Sequence, residues 1–231
     1  MELRKIIVAA LLLIAFHRSA NAQTAGPAAN IAPAAPPFWA DILAFKNSDA
    51  AEPPPEHPIL FAGSSSFAKW KDIASYFPGY PIINRGFGGS TLPDVIRYTY
   101  DVILPYHPKQ VVIYCGENDL VSPSVTAAEV LLRFKTLYGI IRQNLPDATI
   151  DFVSIKASPS RRQIFPKVRE ANALISQFLE KEKNATFIDI YPAMLDAGGN
   201  PRGELFLQDS LHMQPAGYAV WQKIILPYLI K

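Results

Sequence analysis

The chain has 231 residues, of which 49% are hydrophobic and 18% are charged, and its formal net charge is +2. This apolar content excludes a wholly disordered protein, and the length suits one domain with short appendages. A single cysteine, Cys115, excludes a disulfide framework and a zinc site built on cysteines. The small positive charge, without a dense basic patch, argues against a nucleic-acid partner.

The first 22 residues have the layout of an export signal. Arg4 and Lys5 precede an apolar run over 6–16, and Ala20-Asn21-Ala22 offers small residues for a signal peptidase. The run is too short to span a bilayer, which takes about 20 residues in a helix. We therefore expect a signal peptide over 1–22, a periplasmic or secreted protein, and no stable membrane insertion after cleavage; an uncleaved anchor is the alternative. Without this segment the chain is formally neutral, because the segment carries three basic residues against one acidic residue.

The next segment, 23–37, is rich in Pro and Ala and almost uncharged, which is typical of a linker. The domain is predicted to occupy 38–231. It begins with a short amphipathic helix, which Pro53-Pro54-Pro55 must end because proline lacks the backbone donor. The apolar residues of this helix are Phe38, Trp39, Ile42, Leu43 and Phe45.

The rest of the domain alternates between strand and helix patterns. Buried strands are predicted at Ile59–Ala62, Pro81–Asn84, Val111–Cys115, Thr149–Ile155 and Thr186–Ile190. Helical periodicity lies between them, over 127–141 and 168–178, and a last helix begins at Pro215. Such an alternation predicts an α/β fold, a three-layer α/β/α sandwich with a parallel five-stranded sheet. Ligand sites in these sheets lie at the carboxyl ends of the strands.

The first predicted strand is followed by Gly63-Ser64-Ser65-Ser66. A serine at such a turn can serve as a nucleophile, since backbone N–H groups are free there to hold an oxyanion. The same pattern is also typical of a phosphate-binding turn or of an ordinary helix cap. Taken alone, this run does not choose among these interpretations.

Three further strand ends carry polar or glycine-rich turns. The glycine-rich segment Asn84–Thr91 follows the second strand and Asn118 follows the third, and either is common in ordinary turns. Asp209 lies three residues before His212, so its carboxylate can reach Nδ1 of the ring and orient it. A structural hydrogen bond is the alternative for this pair. His57 and His107 have no comparable partner and are predicted to lie in loops.

Together and in this order, the four segments resemble the SGNH hydrolases, the superfamily that includes GDSL lipases and esterases. The resemblance covers about residues 58–218 and implies a flavodoxin-like fold with five site residues. It makes Ser65 the nucleophile, Asp209 and His212 its catalytic partners, and Gly89 and Asn118 members of the oxyanion hole together with the backbone of Ser65. The choice of Ser65 among three adjacent serines rests on this resemblance.

One residue departs from the family pattern, because Ser64 stands where the family usually has Asp in Gly-Asp-Ser. That Asp is not the acid of the triad, so activity is expected to survive with the turn held by other hydrogen bonds. Asp119 is predicted to hold its loop, Cys115 to be an inert core residue, and Trp70 and Trp221 to pack in the core.

The resemblance implies a serine esterase that acts through an acyl-enzyme, without metal or organic cofactor. Short connections favour acetyl or other short acyl groups, carried by a small molecule or a carbohydrate. The alternatives are a lysophospholipase or thioesterase, an acyltransferase with the same triad, and a flavodoxin-like ligand-binding module. Arg161 and Arg162 follow the fourth strand near the expected site, where a solvated loop is favoured over binding of an acidic or sugar substrate. The sequence leaves the oligomeric state open.

Overall fold

Five parallel strands form the centre of the structure, a computed structural model that describes residues 35–231. In chain order they are β1 (Ile59–Gly63), β2 (Ile82–Gly86), β3 (Gln110–Tyr114), β4 (Thr149–Val153) and β5 (Ala185–Ile188). Their order in the sheet is β2-β1-β3-β4-β5, and every neighbouring pair is parallel. The predicted fold class is confirmed. The predicted signal peptide, 1–22, and nearly all of the predicted linker lie outside the described residues and stay predictions.

The helices cover both faces of this sheet. They are α1 (Trp39–Ala51), α2 (Ser65–Ala68), α3 (Ile73–Tyr76), α4 (Leu92–Val102), α5 (Glu117–Val121), α6 (Ala127–Asn144), α7 (Phe165–Leu179) and α8 (Pro215–Ile225). Short 3-10 turns join them at Leu104–Tyr106, Pro159–Ile164, Pro192–Met194, Gly203–Leu205 and Leu226–Tyr228. Within the described part of the chain, no helix is long and apolar enough to cross a membrane.

Two separate apolar cores follow from the alternation of side chains along each strand. Leu60 and Ala62 of β1 enter the core beneath α4, α6 and α7, whereas Ile59 and Phe61 enter the core beneath α2, α3 and α8. Successive side chains of a strand point to opposite faces, so a fully apolar strand fills both layers. All five residues of β1 and of β3 are buried accordingly.

The predicted first helix was only partly right. The helix runs from Trp39 to Ala51 and ends before the prolines, but its one fully buried residue is Ile42. Leu43, which was assigned to the apolar face, is 43% exposed. Phe38 and Phe45 pack against the core but are only partly buried.

Helix α4 was not predicted, although its start carries a recognisable signal. Thr91 donates to the Asp94 carboxylate from its backbone N–H at 2.9 Å and from its hydroxyl at 2.6 Å, and the structure forms a capping box there. Leu92, Val95 and Val102 then face the core at helical spacing. Polar residues alternate with these apolar ones as in an amphipathic helix, so the sequence does contain the signal.

Asp151, in the middle of β4, is expected to make stability depend on pH. Its side chain is buried and accepts a hydrogen bond from Gln110 at 2.5 Å, and burial raises its pKa to about 6. The raised pKa means that the folded protein disfavours the carboxylate, so this contribution to stability is present below about pH 4 and is lost as the pH rises through about 6. The free energy of unfolding is lowered by about 3 kcal/mol at pH 8 relative to pH 4 and below.

The expected result for Asp151→Asn is a variant more stable than the wild type at pH 8 and similar to it at pH 4, because the amide has no proton to lose. Urea unfolding at the two pH values measures the difference. Asp147→Asn is the matched control, since Asp147 lies exposed just before the same strand. Equal pH dependence in the wild type and Asp151→Asn would show that the carboxylate is not disfavoured.

Candidate active site

The carboxyl ends of β1 and β3 meet where the sheet order reverses direction. Gly63 ends β1 opposite Tyr114 of β3, and the following Ser64 N–H donates to the Tyr114 carbonyl at 2.9 Å. Gly63 has a φ of +135°, and a Cβ there would lie 1.9 Å from that carbonyl oxygen, so only glycine fits. In sheets of this order, the crevice between these two strands is the place where ligands bind.

Exposure distinguishes the three adjacent serines at this crevice. Ser64 is 2% exposed and Ser66 is 1% exposed, whereas Ser65 is half-buried. Ser65 is also the first residue of α2, directly after the Gly63 turn. Of the three side chains, Ser65 is therefore the one that a substrate could reach.

The turn around Ser65 is held by other parts of the chain. The Asn84 amide donates to the carbonyls of Phe67 at 2.7 Å and of Trp70 at 3.2 Å, which ties β2 to the end of α2. The Tyr218 hydroxyl donates to the Ser66 carbonyl at 2.9 Å. These contacts hold the turn although Ser64 replaces the Asp of the usual Gly-Asp-Ser pattern.

Gly89 lies beside this turn in the exposed loop after β2, with a φ of +84°. The next residue, Ser90, anchors the loop because its hydroxyl donates to the Gly63 carbonyl at 3.2 Å. An aromatic side chain lies close by: Phe38 approaches Gly89 and packs edge-on against Phe87, with ring centroids 5.3 Å apart. The loop thus joins β1 to the start of α1.

Asn118 lies in the first turn of α5, just after β3. One N–H of its amide donates to the Ser90 carbonyl at 3.0 Å, and its side chain is half-buried. An amide nitrogen carries two N–H donors, so one remains for another acceptor. This contact connects the turn after β3 to the loop that carries Gly89.

Asp209 and His212 form a hydrogen-bonded pair before α8. Asp209 Oδ2 and His212 Nδ1 are 2.6 Å apart, while Asp209 Oδ1 accepts from the backbone N–H groups of Leu211 and His212, each at 2.9 Å. The hydrogen bond with His212, followed by the backbone donors, holds the pKa of Asp209 well below its usual range. The carboxylate is therefore ionised and fixes the orientation of the ring.

The structure brings the predicted site residues to one edge of the sheet, but it does not join all of them. No hydrogen bond links Ser65 Oγ to the His212 ring among the described side chains. Catalytic hydrogen bonds often tighten only when a substrate is bound. Helix α8, which follows the loop of His212, contacts the Ser65 turn. Its Tyr218 donates to the Ser66 carbonyl and stacks on Trp70 with ring centroids 4.7 Å apart.

The other residues singled out from the sequence have definite places. Asp119 is buried and accepts from the Leu92 N–H at 3.0 Å and from Arg133 at 2.8 Å, so it joins α5, α4 and α6. Burial raises its pKa, against the effect of these donors. Cys115 is fully buried directly after β3. Trp70 and Trp221 are both buried in the core beneath α2, α3 and α8.

The two arginines after β4 lie in the connecting segment Pro159–Ile164, which forms 3-10 turns with a kink at Arg161. Arg162 is exposed and donates to Asn200 at 3.2 Å. Arg161 is half-buried, and none of the hydrogen bonds of the described residues involves its side chain.

Comparison with known proteins identifies the family. The model of the GDSL-like lipase/acylhydrolase family matches residues 50–220, which is most of the chain. The chain belongs to this family. No curated protein matches it.

Solved structures of GDSL-like enzymes share its fold. A GDSL-like lipase from Bacteroides thetaiotaomicron is 19% identical, with a TM-score of 0.70, and the match covers 82% of this chain and 97% of that one. An acetylxylan esterase from Geobacillus stearothermophilus, studied as a catalytic mutant, is 15% identical with a TM-score of 0.62, over 75% of this chain and 94% of that one. At these identities the likeness concerns the fold.

As a member of the GDSL-like family, the protein is an ester-hydrolysing enzyme. Sequence reasoning did not single out several residues that shape its site, namely Phe38, Glu117, Lys156, Ser158, Ser160 and Tyr218. Of these, Lys156 carried a signal, because it directly follows the predicted buried strand Thr149–Ile155, where a lysine needs a buried partner or an exit to water.

One of several cavities outside this site, with a volume of about 410 Å³, lies at the opposite edge of the sheet. Its lining includes His57, His107, Lys109 and Ala148, which precede β1, β3 and β4 or lie beside them. His57 Nδ1 lies 3.1 Å from the His107 carbonyl oxygen, so the His57 ring already has a structural contact. Sites in parallel sheets lie at the carboxyl ends of strands, which is the other edge.

Proposed function

We propose that the protein is a serine esterase that removes short acyl groups through an acyl-enzyme on Ser65. The observation that carries the proposal is the exposure of Ser65 between two buried serines, at the sheet edge that also carries the Asp209–His212 pair. A phosphate-binding turn has no use for a base oriented by a carboxylate. This argues for catalysis over the ligand-binding alternative.

The proposed reaction begins with attack of Ser65 Oγ on the ester carbonyl carbon. His212 Nε2 takes the proton from Oγ, and the ionised Asp209 stabilises the imidazolium through Nδ1. The negative charge that develops on the carbonyl oxygen is held by the N–H groups of Ser65 and Gly89 and by the free N–H of the Asn118 amide.

Collapse of this intermediate breaks the ester C–O bond. His212 returns the proton to the leaving alcohol, and the acyl group stays on Ser65. Water then attacks the acyl-enzyme and gives its proton to His212. The second collapse returns that proton to Ser65 and releases the carboxylic acid.

Two observations support a short acyl group. Phe38 packs beside Gly89 and Phe87, which narrows the space next to the proposed oxyanion hole. The turns that directly follow β1, β2 and β3 are also short, because α2, α4 and α5 begin within six residues of these strand ends. They leave little chain there to build a long acyl groove. The similarity to an acetylxylan esterase is in line with an acetyl ester on a carbohydrate.

Hydrolysis of nitrophenyl esters of increasing acyl length tests this proposal. We expect kcat/KM to be highest for acetate and to fall by about tenfold or more at octanoate, since Phe38 narrows the space that added methylenes would occupy. Phe38→Ala should shift the preference toward longer chains. Phe45→Ala should not, because Phe45 lies within α1 and packs against Arg85 of β2. A wild-type preference for palmitate would contradict the short-acyl assignment and favour lysophospholipase or thioesterase action.

A further inference from the structure

A buried charged cluster lies directly behind the proposed oxyanion hole. Lys156 is 1% exposed and forms an ion pair with Glu117, which is 4% exposed. The Tyr114 hydroxyl donates to Glu117 Oε2 at 2.8 Å and accepts from Lys156 Nζ at 3.2 Å. Ser158 Oγ donates to Glu117 Oε1 at 2.5 Å. Both oxygens of the Glu117 carboxylate thus have donors.

A gain in the stability of the fold does not explain this buried ion pair. Taking two charges out of water is costly, and apolar side chains of similar volume often replace a buried ion pair without loss of stability. What the pair does supply is fixed geometry, because two charged groups with saturated hydrogen bonds have few alternative positions. This fixed geometry constrains the groups that neighbour the pair.

One neighbour is the proposed oxyanion residue. Glu117 directly precedes Asn118, and α5 has only five residues, so an anchored Glu117 side chain limits the movement of its turn. Asn118 is otherwise held by the 3.0 Å contact of its amide with the Ser90 carbonyl. The turn is thus fixed by two sets of contacts. Glu117 connects it to the segment after β4, and Asn118 connects it to the loop that carries Gly89.

The other neighbour is the loop of the proposed base. Ser158 lies two residues before Ser160, whose N–H and hydroxyl both donate to the Ser210 carbonyl, at 3.0 Å and 2.9 Å. Ser210 lies between Asp209 and His212 and has a φ of +56°, a conformation that non-glycine residues rarely adopt. The segment after β4 therefore contacts both halves of the site.

We propose that Lys156 and Glu117 are positioning residues that hold Asn118 where the oxyanion forms. The inference rests on the proposed function, and neither residue touches the reacting atoms. A displacement of about 1 Å at a catalytic group can cost about 100-fold in rate. The cluster should therefore affect turnover far more than it affects folding.

The double variant Glu117→Gln/Lys156→Met tests this proposal, because it removes both charges while keeping similar shapes. We expect a melting temperature close to that of the wild type, a kcat about 10- to 100-fold lower and a KM within about threefold. Ser158→Ala removes a single hydrogen bond to Glu117 and should lower kcat by several-fold. It serves as the second variant if the double variant does not fold. Asp151→Asn, which neutralises a buried carboxylate away from the site, is the matched control and should keep the wild-type kcat.

Comparison with Asn118→Ala separates positioning from a general structural role. Asn118→Ala alone should lower kcat by about 10²- to 10³-fold. If the cluster acts through Asn118, adding Glu117→Gln/Lys156→Met or Ser158→Ala to Asn118→Ala should change kcat by less than about threefold. If the loss in kcat from the cluster variants instead multiplies in full with the loss from Asn118→Ala, the inference is wrong. It is also wrong if the cluster variants fold and keep the wild-type kcat. A folded wild type without esterase activity would instead contradict the proposed function, and the inference with it.

Discussion

Replacing Ser65 with alanine is expected to lower ester hydrolysis by about 10⁴-fold or more, because no other group can form the acyl-enzyme. Ser65 is the accessible member of the three adjacent serines. The expected effect is in kcat, since substrate binding does not require the hydroxyl. Steady-state hydrolysis of nitrophenyl acetate, corrected for spontaneous hydrolysis, measures it.

The two neighbouring serines provide matched controls for this variant. Ser64→Ala and Ser66→Ala remove the same atom from positions that are 2% and 1% exposed, so both should keep activity within about tenfold of the wild type. Circular dichroism and thermal melting should show that all three variants fold. An active Ser65→Ala together with an inactive Ser64→Ala would place the nucleophile one residue earlier.

Replacing Asp209 with asparagine is expected to lower kcat by about 10³- to 10⁴-fold, because an amide N–H facing Nδ1 favours the wrong tautomer of His212. In that tautomer Nε2 carries the proton and cannot accept one from Ser65. The loop itself should persist, since the asparagine oxygen can still accept from the N–H groups of Leu211 and His212.

Asp189→Asn is the control for this change. Asp189 is also exposed and also caps a turn, accepting from the Tyr191 N–H at 3.0 Å, but no histidine of residues 35–231 is hydrogen-bonded to it. Its replacement should leave kcat unchanged. An Asp209→Asn variant that kept wild-type kcat while folded would contradict the role assigned to the pair.

The fold could be predicted because buried parallel strands are apolar on both faces. All five apolar runs became strands, but their ends moved by one or two residues. The second strand extends to Gly86, past the polar Asn84 and Arg85. Arg85 is buried there because it pairs with Asp49 and donates to the Tyr106 hydroxyl at 2.8 Å. Those partners come from distant parts of the chain, which local patterns do not reveal.

The positions of Ser65, Gly89 and Asn118 followed from short segments at strand ends. The Asp209–His212 pair lies before α8, about twenty residues past the end of β5, and is not at a strand end. Asp209 and His212 are three residues apart, so their contact can be expected from spacing. Lys156 and Glu117 are 39 residues apart, and only the pairing of β3 with β4 brings them together. Ser65 was chosen by resemblance, and the burial of Ser64 and Ser66 now adds a physical reason for the choice.

Labelling with a fluorophosphonate, followed by mass-spectrometric mapping of the modified residue, tests the central claim most directly. This reagent reacts with a serine that a nearby base activates, and it needs no knowledge of the natural ester. We expect one adduct, on Ser65, that is absent in Ser65→Ala and strongly reduced in Asp209→Asn. A folded wild-type protein that remains unlabelled, or an adduct on a different residue, would contradict the assignment of Ser65 as the nucleophile.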